Sequence, residues 1–231
     1  MSEIRNNGIV SSVVERSRGL VLILFVILLC TISISCNSEN ASDCFQDTGE
    51  IIREEVDVQE FTKITVFENV TLVIKQGPTQ KVQIETGKNL RNEVDAVVED
   101  GRLLLTDTND CNYVRDYGTT IVYVTTSNLT EIRSSTGYPI RSDGVLSYES
   151  LSLLSESFAV PEAVTTDGEF NLNLNVSSLG ITVNGIAYFN LRGNVETFNI
   201  NIAAGDSRIE AEELVAQNVN INHRGSNDVL I

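Results

Sequence analysis

The sequence reads FNLNLNVSS at residues 170–178, FNINIAAGD at 198–206 and VNINHRGSN at 219–227. In each stretch, apolar side chains alternate with asparagine before a turn of small residues. This period of two predicts strands with one buried face. Because the units recur about every 19 to 28 residues, they favour one strand and one turn per coil. We therefore expect an all-β, parallel β-helix-like solenoid with short rungs; an antiparallel sandwich is the alternative.

The asparagines of these stretches are expected to point outward and to stack as ladders between coils. The earlier part of the chain has the same period of two, for example from Ile64 to Ile74 before the turn at Gln76–Pro78. No stretch keeps an apolar period of 3.6 over a dozen residues, so we expect little helix outside the signal peptide. The chain closes on a strand-like Val229–Ile231, whose open edge predicts self-association with another chain.

The N-terminus has the pattern of an export signal. Arg5, Arg16 and Arg18 precede the apolar run GLVLILFVILLCTISIS at residues 19–35, which is shorter than a membrane span of about 20 residues. Cys36 follows small residues directly, so we predict a lipoprotein signal peptide (1–35), lipidation of Cys36 and a polar tether (36–49). An uncleaved anchor and plain secretion are the alternatives. All three place the protein outside the cytoplasm, and we expect the outer membrane, on its cell-surface or periplasmic face.

The charge of the chain is strongly acidic. It has 32 acidic and 16 basic residues, a net charge of −16 and a pI of about 4.4. Such a surface repels nucleic acid and anionic lipid headgroups, so no nucleic-acid partner is expected. The acidity is typical of a soluble secreted protein; ligand binding through a bridging cation is the alternative.

Two cysteines remain after export. Cys30 lies in the signal peptide and Cys36 carries the lipid, which leaves Cys44 and Cys111. An even number in an oxidising compartment predicts a disulfide between them. Two free thiols or a zinc site are the alternatives, but zinc needs more ligands, and the single histidine, His223, is distant in sequence. We expect no metal and no cofactor.

Several segments resemble one known family. The run FTKITVFENVTLVIKQG at residues 61–77 is similar to the opening of the "putative auto-transporter adhesin, head GIN domain" family of Bacteroidota lipoproteins. Gly87–Leu90, Asp100–Leu103, Asn109–Arg115 and His223–Val229 fit the same pattern. The resemblance covers residues 50–231 and implies a β-helix-like fold, export and no established activity. On this pattern the domain would lack its last rung. The acidic tether also resembles the surface-export signals of Bacteroidota lipoproteins.

No catalytic residues are predicted. β-Helical hydrolases need clustered carboxylates, and the densest candidates are Asp107 with Asp110 and Asp206 with Glu210. A lyase needs calcium-binding carboxylates and a base, and the roughly evenly spaced Arg192, Arg208 and Arg224 are more typical of solvated surface. Residues 107–110 lack the glycine and glutamate of a calcium loop. His223 is expected to be structural or exposed.

The tyrosines offer a second kind of site. Tyr113, Tyr117, Tyr123 and Tyr138 are candidates for a platform on which a sugar ring stacks, although packing in the fold is the simpler role. We therefore predict a non-catalytic, adhesin-like binding module on the cell envelope, with a glycan or a surface of the host or envelope as its ligand. A β-helical polysaccharide lyase or hydrolase and a structural envelope component are the alternatives.

Overall fold

The computed structural model describes Phe25 and residues 43–67, 69–158 and 165–231. Apart from Phe25, the predicted signal peptide and Cys36 lie outside this part of the chain. None of the described helical residues belongs to a helix long and apolar enough to cross a membrane. Between residue 43 and the last residue, the described chain has only two short 3-10 turns, Asp43–Phe45 and Arg91–Glu93.

The described residues form one mixed sheet of fourteen strands, so the protein is all-β, as the sequence predicts. Period-two stretches form these strands because one face of each can be buried while the other meets water. The strands are β1 (Ile51–Val56), β2 (Lys63–Val66), β3 (Val70–Gln76), β4 (Lys81–Gly87), β5 (Val94–Glu99), β6 (Arg102–Asp107), β7 (Thr120–Thr126), β8 (Glu131–Ser134), β9 (Pro139–Leu146), β10 (Ser150–Ser155), β11 (Glu169–Val183), β12 (Tyr188–Ile202), β13 (Arg208–His223) and β14 (Val229–Leu230).

Three long strands connect two series of strands. The first half of β11 pairs in parallel with β9, and its second half pairs in parallel with β10. β12 then pairs in parallel with β11, and β13 with β12. The first series contains β1, β4, β7, β3, β9, the first halves of β11 to β13, and β14. The second contains β5, β6, β2, β8, β10 and the second halves of β11 to β13.

Parallel partners in this region lie 19 to 21 residues apart in the chain. Phe170 pairs with Phe189, and Phe198 pairs with Val219, so the predicted length of one unit is close to the observed one. The predicted alignment of the units is different. The first asparagine-rich stretch lies in the first half of β11, whereas the other two lie in the second halves of β12 and β13. Phe170 and Phe198 therefore belong to opposite series of strands.

Antiparallel strands lie at both edges of the strand order, β1 and β4 at one edge and β5 at the other. β2 and β3 pair with β8 and β9 on one side and with β6 and β7 on the other. β4 pairs antiparallel with β7, β1 with β4, and β5 with β6. Elsewhere in the described chain the paired strands are parallel. These inserted antiparallel strands explain why a regular repeat is visible only in the second half of the sequence.

Apolar side chains from both series form one core. Along β11, buried and unburied residues alternate up to Val176; Ser177 and Ser178 both stay outside the core, and the alternation resumes at Leu179. This change of phase lets an extended strand pass from one series to the other while both halves face the same core. In that core, the rings of Phe170 and Phe189 stack with centroids 4.6 Å apart.

Among the described residues, hydrogen-bonded asparagine ladders are found in the second series. Asn220 Nδ2 donates to Asn199 Oδ1 at 3.0 Å, and Asn222 Nδ2 donates to Asn201 Oδ1 at 2.8 Å. The asparagines of β11 do not join these ladders because they lie in the first series. Their partners on β12, in order, are Asn190 opposite Asn171, Arg192 opposite Asn173 and Asn194 opposite Asn175.

The second half of β13 has a partner on one side only within the described residues, because β14 pairs with Ile209 and Glu210 alone. Val219 and Ile221 face inward in register with buried residues of β12, yet 38% and 45% of their surfaces are exposed. The sequence places the open edge at Val229–Ile231. In the structure, Val229 and Leu230 are themselves paired, and within the described residues the longer unpaired edge is this half of β13.

Candidate functional site

A twelve-residue loop, residues 108–119, connects β6 to β7; we call it the stapled loop. Cys111 within it is disulfide-bonded to Cys44, 67 residues earlier in the chain. The amide of Tyr113 also donates to the carbonyl oxygen of Cys44 at 3.0 Å. The segment that precedes β1 is therefore fixed to the loop by one covalent bond and one hydrogen bond.

Arg115 holds the loop from within. Its guanidinium donates to the carbonyl oxygen of Gln46 at 3.3 Å and to that of Asn109 at 3.1 Å. The side chain of Asn112 accepts from the amides of Val114 and Arg115 at 3.2 and 2.8 Å. Side-chain bonds of this kind replace the strand pairing that a loop lacks, so they restrain the stapled loop.

A buried polar network supports the base of the loop. The carboxylate of Asp107, at the end of β6, accepts from the backbone and side-chain nitrogens of Asn109 and from the Thr120 hydroxyl at 2.5 Å. Asn69 donates to the Asp107 carbonyl oxygen and to Asp110 Oδ1. Because Asp107 and Asn109 are both more than nine-tenths buried, these bonds offset the cost of removing them from water.

Four large apolar side chains project from this framework into solvent. Tyr113 and Tyr117 are each 75% exposed, Val114 is 54% exposed, and Phe45 beside the disulfide is 53% exposed. The rings of Phe45 and Tyr113 lie 5.7 Å apart. Single exposed apolar residues are ordinary, but a group on a loop fixed by a disulfide is typical of a contact surface. We take these four residues as the candidate binding surface.

A narrow cleft adjoins this surface. Tyr117, Tyr138, Asn69, Asn112 and Asp116 line it together with the buried network, and the centres of water molecules can move through only about 20 Å³ of it. This space suffices for water but not for a sugar ring. A ligand would have to lie across the exposed rings, with at most a small group entering the cleft.

The structure brings three of the four candidate tyrosines to this region. Tyr113 and Tyr117 belong to the stapled loop, and Tyr138 borders its cleft. Tyr123 lies elsewhere, on the outer face of β7 beneath the guanidinium of Arg53, which is 3.7 Å from the ring centroid. Burial and the nearby carboxylate of Glu85 raise the pKa of Tyr123. The structure therefore groups three of these tyrosines, not the four that the sequence suggests.

The carboxylates considered for hydrolysis each have hydrogen-bond partners within the fold. Asp107 and Asp110 belong to the network described above. Asp206 accepts from the Ser226 hydroxyl at 2.6 Å. Glu210 accepts from Tyr188 and Arg208, and these hydrogen bonds lower the pKa of Glu210. Among the described residues, no group of three or more His, Cys, Asp or Glu side chains is placed to hold a metal ion.

The basic candidates do not form a row. Arg208 lies opposite Tyr188, Arg192 lies opposite Glu213, and Arg224 follows the end of β13. Their even spacing in sequence therefore does not place them side by side on neighbouring strands. His223 closes a turn: its Nε2 lies 2.7 Å from the Asn227 carbonyl oxygen, and its Nδ1 accepts from the Gly225 amide.

Known proteins share the fold of this chain. A family model described as "Putative auto-transporter adhesin, head GIN domain" matches residues 60–231. A "putative adhesin" from Bacteroides fragilis has a similar crystal structure, with a TM-score of 0.65 and 18% identity over 79% of this chain and 81% of that one. Another, from Parabacteroides merdae, has a TM-score of 0.51 and 18% identity over 79% and 82%. At this identity, the two structures establish the fold alone. No curated protein matches the chain.

Proposed function

Because the chain belongs to the family described as "Putative auto-transporter adhesin, head GIN domain", we propose that it is an exported, non-catalytic binding module. Its contact surface is Phe45, Tyr113, Val114 and Tyr117. The observation that carries this proposal is their exposure on and beside a loop fixed by a disulfide. A rigid loop loses little conformational entropy on binding, so its exposed rings can contribute most of their contact energy to affinity.

Two features support binding over catalysis. The cleft beside the loop is too small to enclose a sugar ring, so catalytic groups could not surround a glycosidic bond there. The carboxylates Asp107, Asp110, Asp206 and Glu210 are hydrogen-bonded to neighbouring residues of the fold rather than to each other. A polysaccharide lyase or hydrolase remains the alternative that product release would reveal.

We also propose that the parallel strands form a β-helix-like coil. The shift of 19 to 21 residues between partners in β11, β12 and β13 supports it, as does the shared core of the two series. A coil of this kind presents connecting loops along its sides, which is where the stapled loop lies between β6 and β7. The coil would act as a rigid support for the loop.

The binding test uses the mature domain, residues 37–231, on an array of glycans and extracellular-matrix proteins. We expect retention of one ligand class and no released product. Tyr113→Ala with Tyr117→Ala should abolish retention. Val215→Ala is the control and should not, because Val215 lies on β13, outside the loop, and is 67% exposed. Retention that survives the double substitution would move the site away from the loop. Released product would overturn the non-catalytic assignment.

We propose that Cys36 anchors this module to the outer membrane through lipid. The family and the disulfide support an exported protein, since disulfides persist in oxidising compartments. The expected result is that Cys36→Ala releases the protein from the membrane fraction, because one residue carries both acyl chains of the diacylglyceryl group. Cys30→Ala is the matched control and should fractionate like the native protein. Membrane association of the Cys36 variant would contradict lipid anchoring.

Self-association is a second candidate role, favoured by the exposed inner face of β13. If two copies pair antiparallel about a two-fold axis, Val219 of one copy would lie opposite Ile221 of the other. Each of these side chains would then be covered by the other copy. Residues 214–223 contain no acidic side chain, so two acidic copies could approach there with little repulsion. A concentration-dependent dimer in sedimentation, lost on Val219→Asp, would support this role, and a monomer at high concentration would exclude it.

A further inference from the structure

We propose that the stapled loop binds neutral glycans, with a sugar ring stacked on Tyr117 or Tyr113 and its hydroxyls bonded to the polar rim of the cleft. This inference rests on the proposed binding function and names its ligand class. Three observations lead to it: the charge of the loop, the position of its rings and its size.

The charge of the loop argues against anionic ligands. Arg115 is the only basic residue in residues 108–119, and its guanidinium is engaged by the carbonyl oxygens of Gln46 and Asn109. The loop also contains Asp110 and Asp116, in a chain with a net charge of −16. A sulfated, uronic or sialylated glycan would be repelled by the two carboxylates, and the guanidinium that could attract it is already bonded to backbone carbonyl oxygens. Electrostatics therefore favour a ligand without charge.

The rings are positioned for stacking. The Tyr117 hydroxyl lies 3.5 Å from the Asn112 carbonyl oxygen, and the Tyr113 ring rests against Phe45. Each tyrosine still exposes three quarters of its surface, so a flat apolar face is open to solvent. The C–H face of a pyranose is apolar and nearly flat, and it removes this surface from water without displacing any protein bond.

The rim of the cleft provides the polar half of such a site. Asn69 and Asp116 line the cleft beside Tyr117. The Nδ2 of Asn69 is bonded within the fold, so the groups offered to a sugar hydroxyl are the amide oxygen of Asn69 and the carboxylate of Asp116, both of which accept. Because the centres of water-sized groups can move through only about 20 Å³ of the cleft, the ring stays above it and only a hydroxyl or hydroxymethyl group enters. This combination of rings and neutral or acidic hydrogen-bonding groups suits a polyol.

The size of the surface argues against a protein ligand. A stable protein interface takes roughly 20–30 residues from each partner. The candidate surface has four exposed apolar residues on and beside a loop of twelve, with charged or amide side chains between them. One or two sugar residues match this area, and weak single contacts of this kind gain strength by repetition along a polymer.

The test compares neutral hexose and N-acetylhexosamine oligosaccharides with uronic and sulfated ones of the same length, each at 50 and 500 mM salt. We expect the native mature domain to retain the neutral set with less than about a twofold change between the two salt concentrations, since no charge is neutralised on binding. Tyr117→Ala should lower affinity by roughly tenfold or more. Val215→Ala should leave it unchanged.

Asp116→Asn tests the discrimination itself. It preserves the shape of the rim, keeps one acceptor oxygen and removes one charge, so the ratio of anionic to neutral glycan affinity should rise relative to the native domain. Thermal unfolding of each variant, unchanged from the native domain, shows that the fold is intact. Preferential retention of anionic glycans, or a loss of neutral binding at high salt, would overturn the inference.

Failures at the two levels are distinguishable. Loop-dependent retention of an anionic glycan or a matrix protein would leave the proposed function standing and refute the neutral ligand. Absence of any retention that depends on Tyr113 and Tyr117, across all ligand classes, would refute both.

Discussion

Tyr148 lies in the turn between β9 and β10 with 5% of its surface exposed. Its hydroxyl oxygen is buried and has no hydrogen-bond partner among the described residues. Burial raises the pKa of Tyr148 to about 12, because the charged phenolate would lose its hydration. In the unfolded chain, the same group titrates near 10.

This difference predicts a loss of stability in alkali. Between about pH 10 and 12 the unfolded state releases the proton while the folded state retains it, so the free energy of unfolding falls as pH rises. Two pKa units correspond to about 2–3 kcal/mol, and the contribution is fully present below pH 10. In urea titrations from pH 9 to 12, Tyr148→Phe should decline less steeply than the native protein.

At pH 7, Tyr148→Phe should be neutral or stabilising by about 1 kcal/mol, since it removes a buried hydroxyl without a partner. Tyr113→Phe, at an exposed residue, is the control. It should change neither the stability at pH 7 nor the slope of its decline above pH 10. A parallel decline of native protein and Tyr148→Phe above pH 10 would show that another group causes the alkaline loss.

Single residues differ in how far sequence reveals them. Cys44 and Cys111 can be paired by counting, once the predicted signal peptide is assigned Cys30 and the predicted lipidation Cys36. The role of Arg115 cannot be foreseen, since its partners are backbone carbonyls, which leave no pattern in the sequence. Tyr113 and Tyr117 are visible as candidates, but only the fold separates them from Tyr123.

At the scale of elements, β12 depends on one glycine. Gly193 has φ +112°, and a Cβ added there would lie 2.0 Å from the carbonyl oxygen of Leu174 on β11. The position therefore needs both a conformation that favours glycine and close approach of two backbones. It lies where β12 leaves the first series of strands.

We expect Gly193→Ala to lower the free energy of unfolding by about 3 kcal/mol or more, because a backbone carbonyl cannot move aside without breaking the β11–β12 pairing. Gly101→Ala is the matched control. It has φ +73° in the β5–β6 turn with open space around the added Cβ, so only backbone strain of about 1–2 kcal/mol is expected. Equal losses in urea unfolding would show that contact with Leu174 is unimportant.

The strands are well predicted by period two, yet their pairing is not. Alternation gives the buried face of each strand but says nothing about which strand lies beside it, so the insertion of β6 and β7 next to β2 and β3 is invisible in the sequence. The passage through Ser177 and Ser178 resembles a turn in sequence because small residues suit both turns and corners. In the structure it stays within β11.

For the whole molecule, the disulfide closes a loop of 67 residues. In the chain-entropy model such a link contributes about 4 kcal/mol to stability, since it restricts the unfolded chain. Cys44→Ser with Cys111→Ser should therefore lower the urea midpoint markedly. It should also weaken ligand retention, because Phe45 and Tyr113 lose their fixed relation. Unchanged retention would mean that hydrogen bonds from Arg115 suffice to hold the loop.

The disulfide also decides how a mechanical load would travel. If a ligand on Tyr113 is pulled against lipid on Cys36, tension passes along eight residues to Cys44, crosses one S–S bond to Cys111 and reaches Tyr113 two residues later. Within the described residues, no strand lies on that route. The test is an optical-tweezers experiment with handles attached at positions 36 and 113. The oxidised protein should extend without a step from sheet unfolding. The reduced protein should lengthen by up to about 230 Å as the chain between Cys44 and Cys111 unfolds. An attachment built in this way would bear traction in its covalent bonds and leave the sheet unstrained.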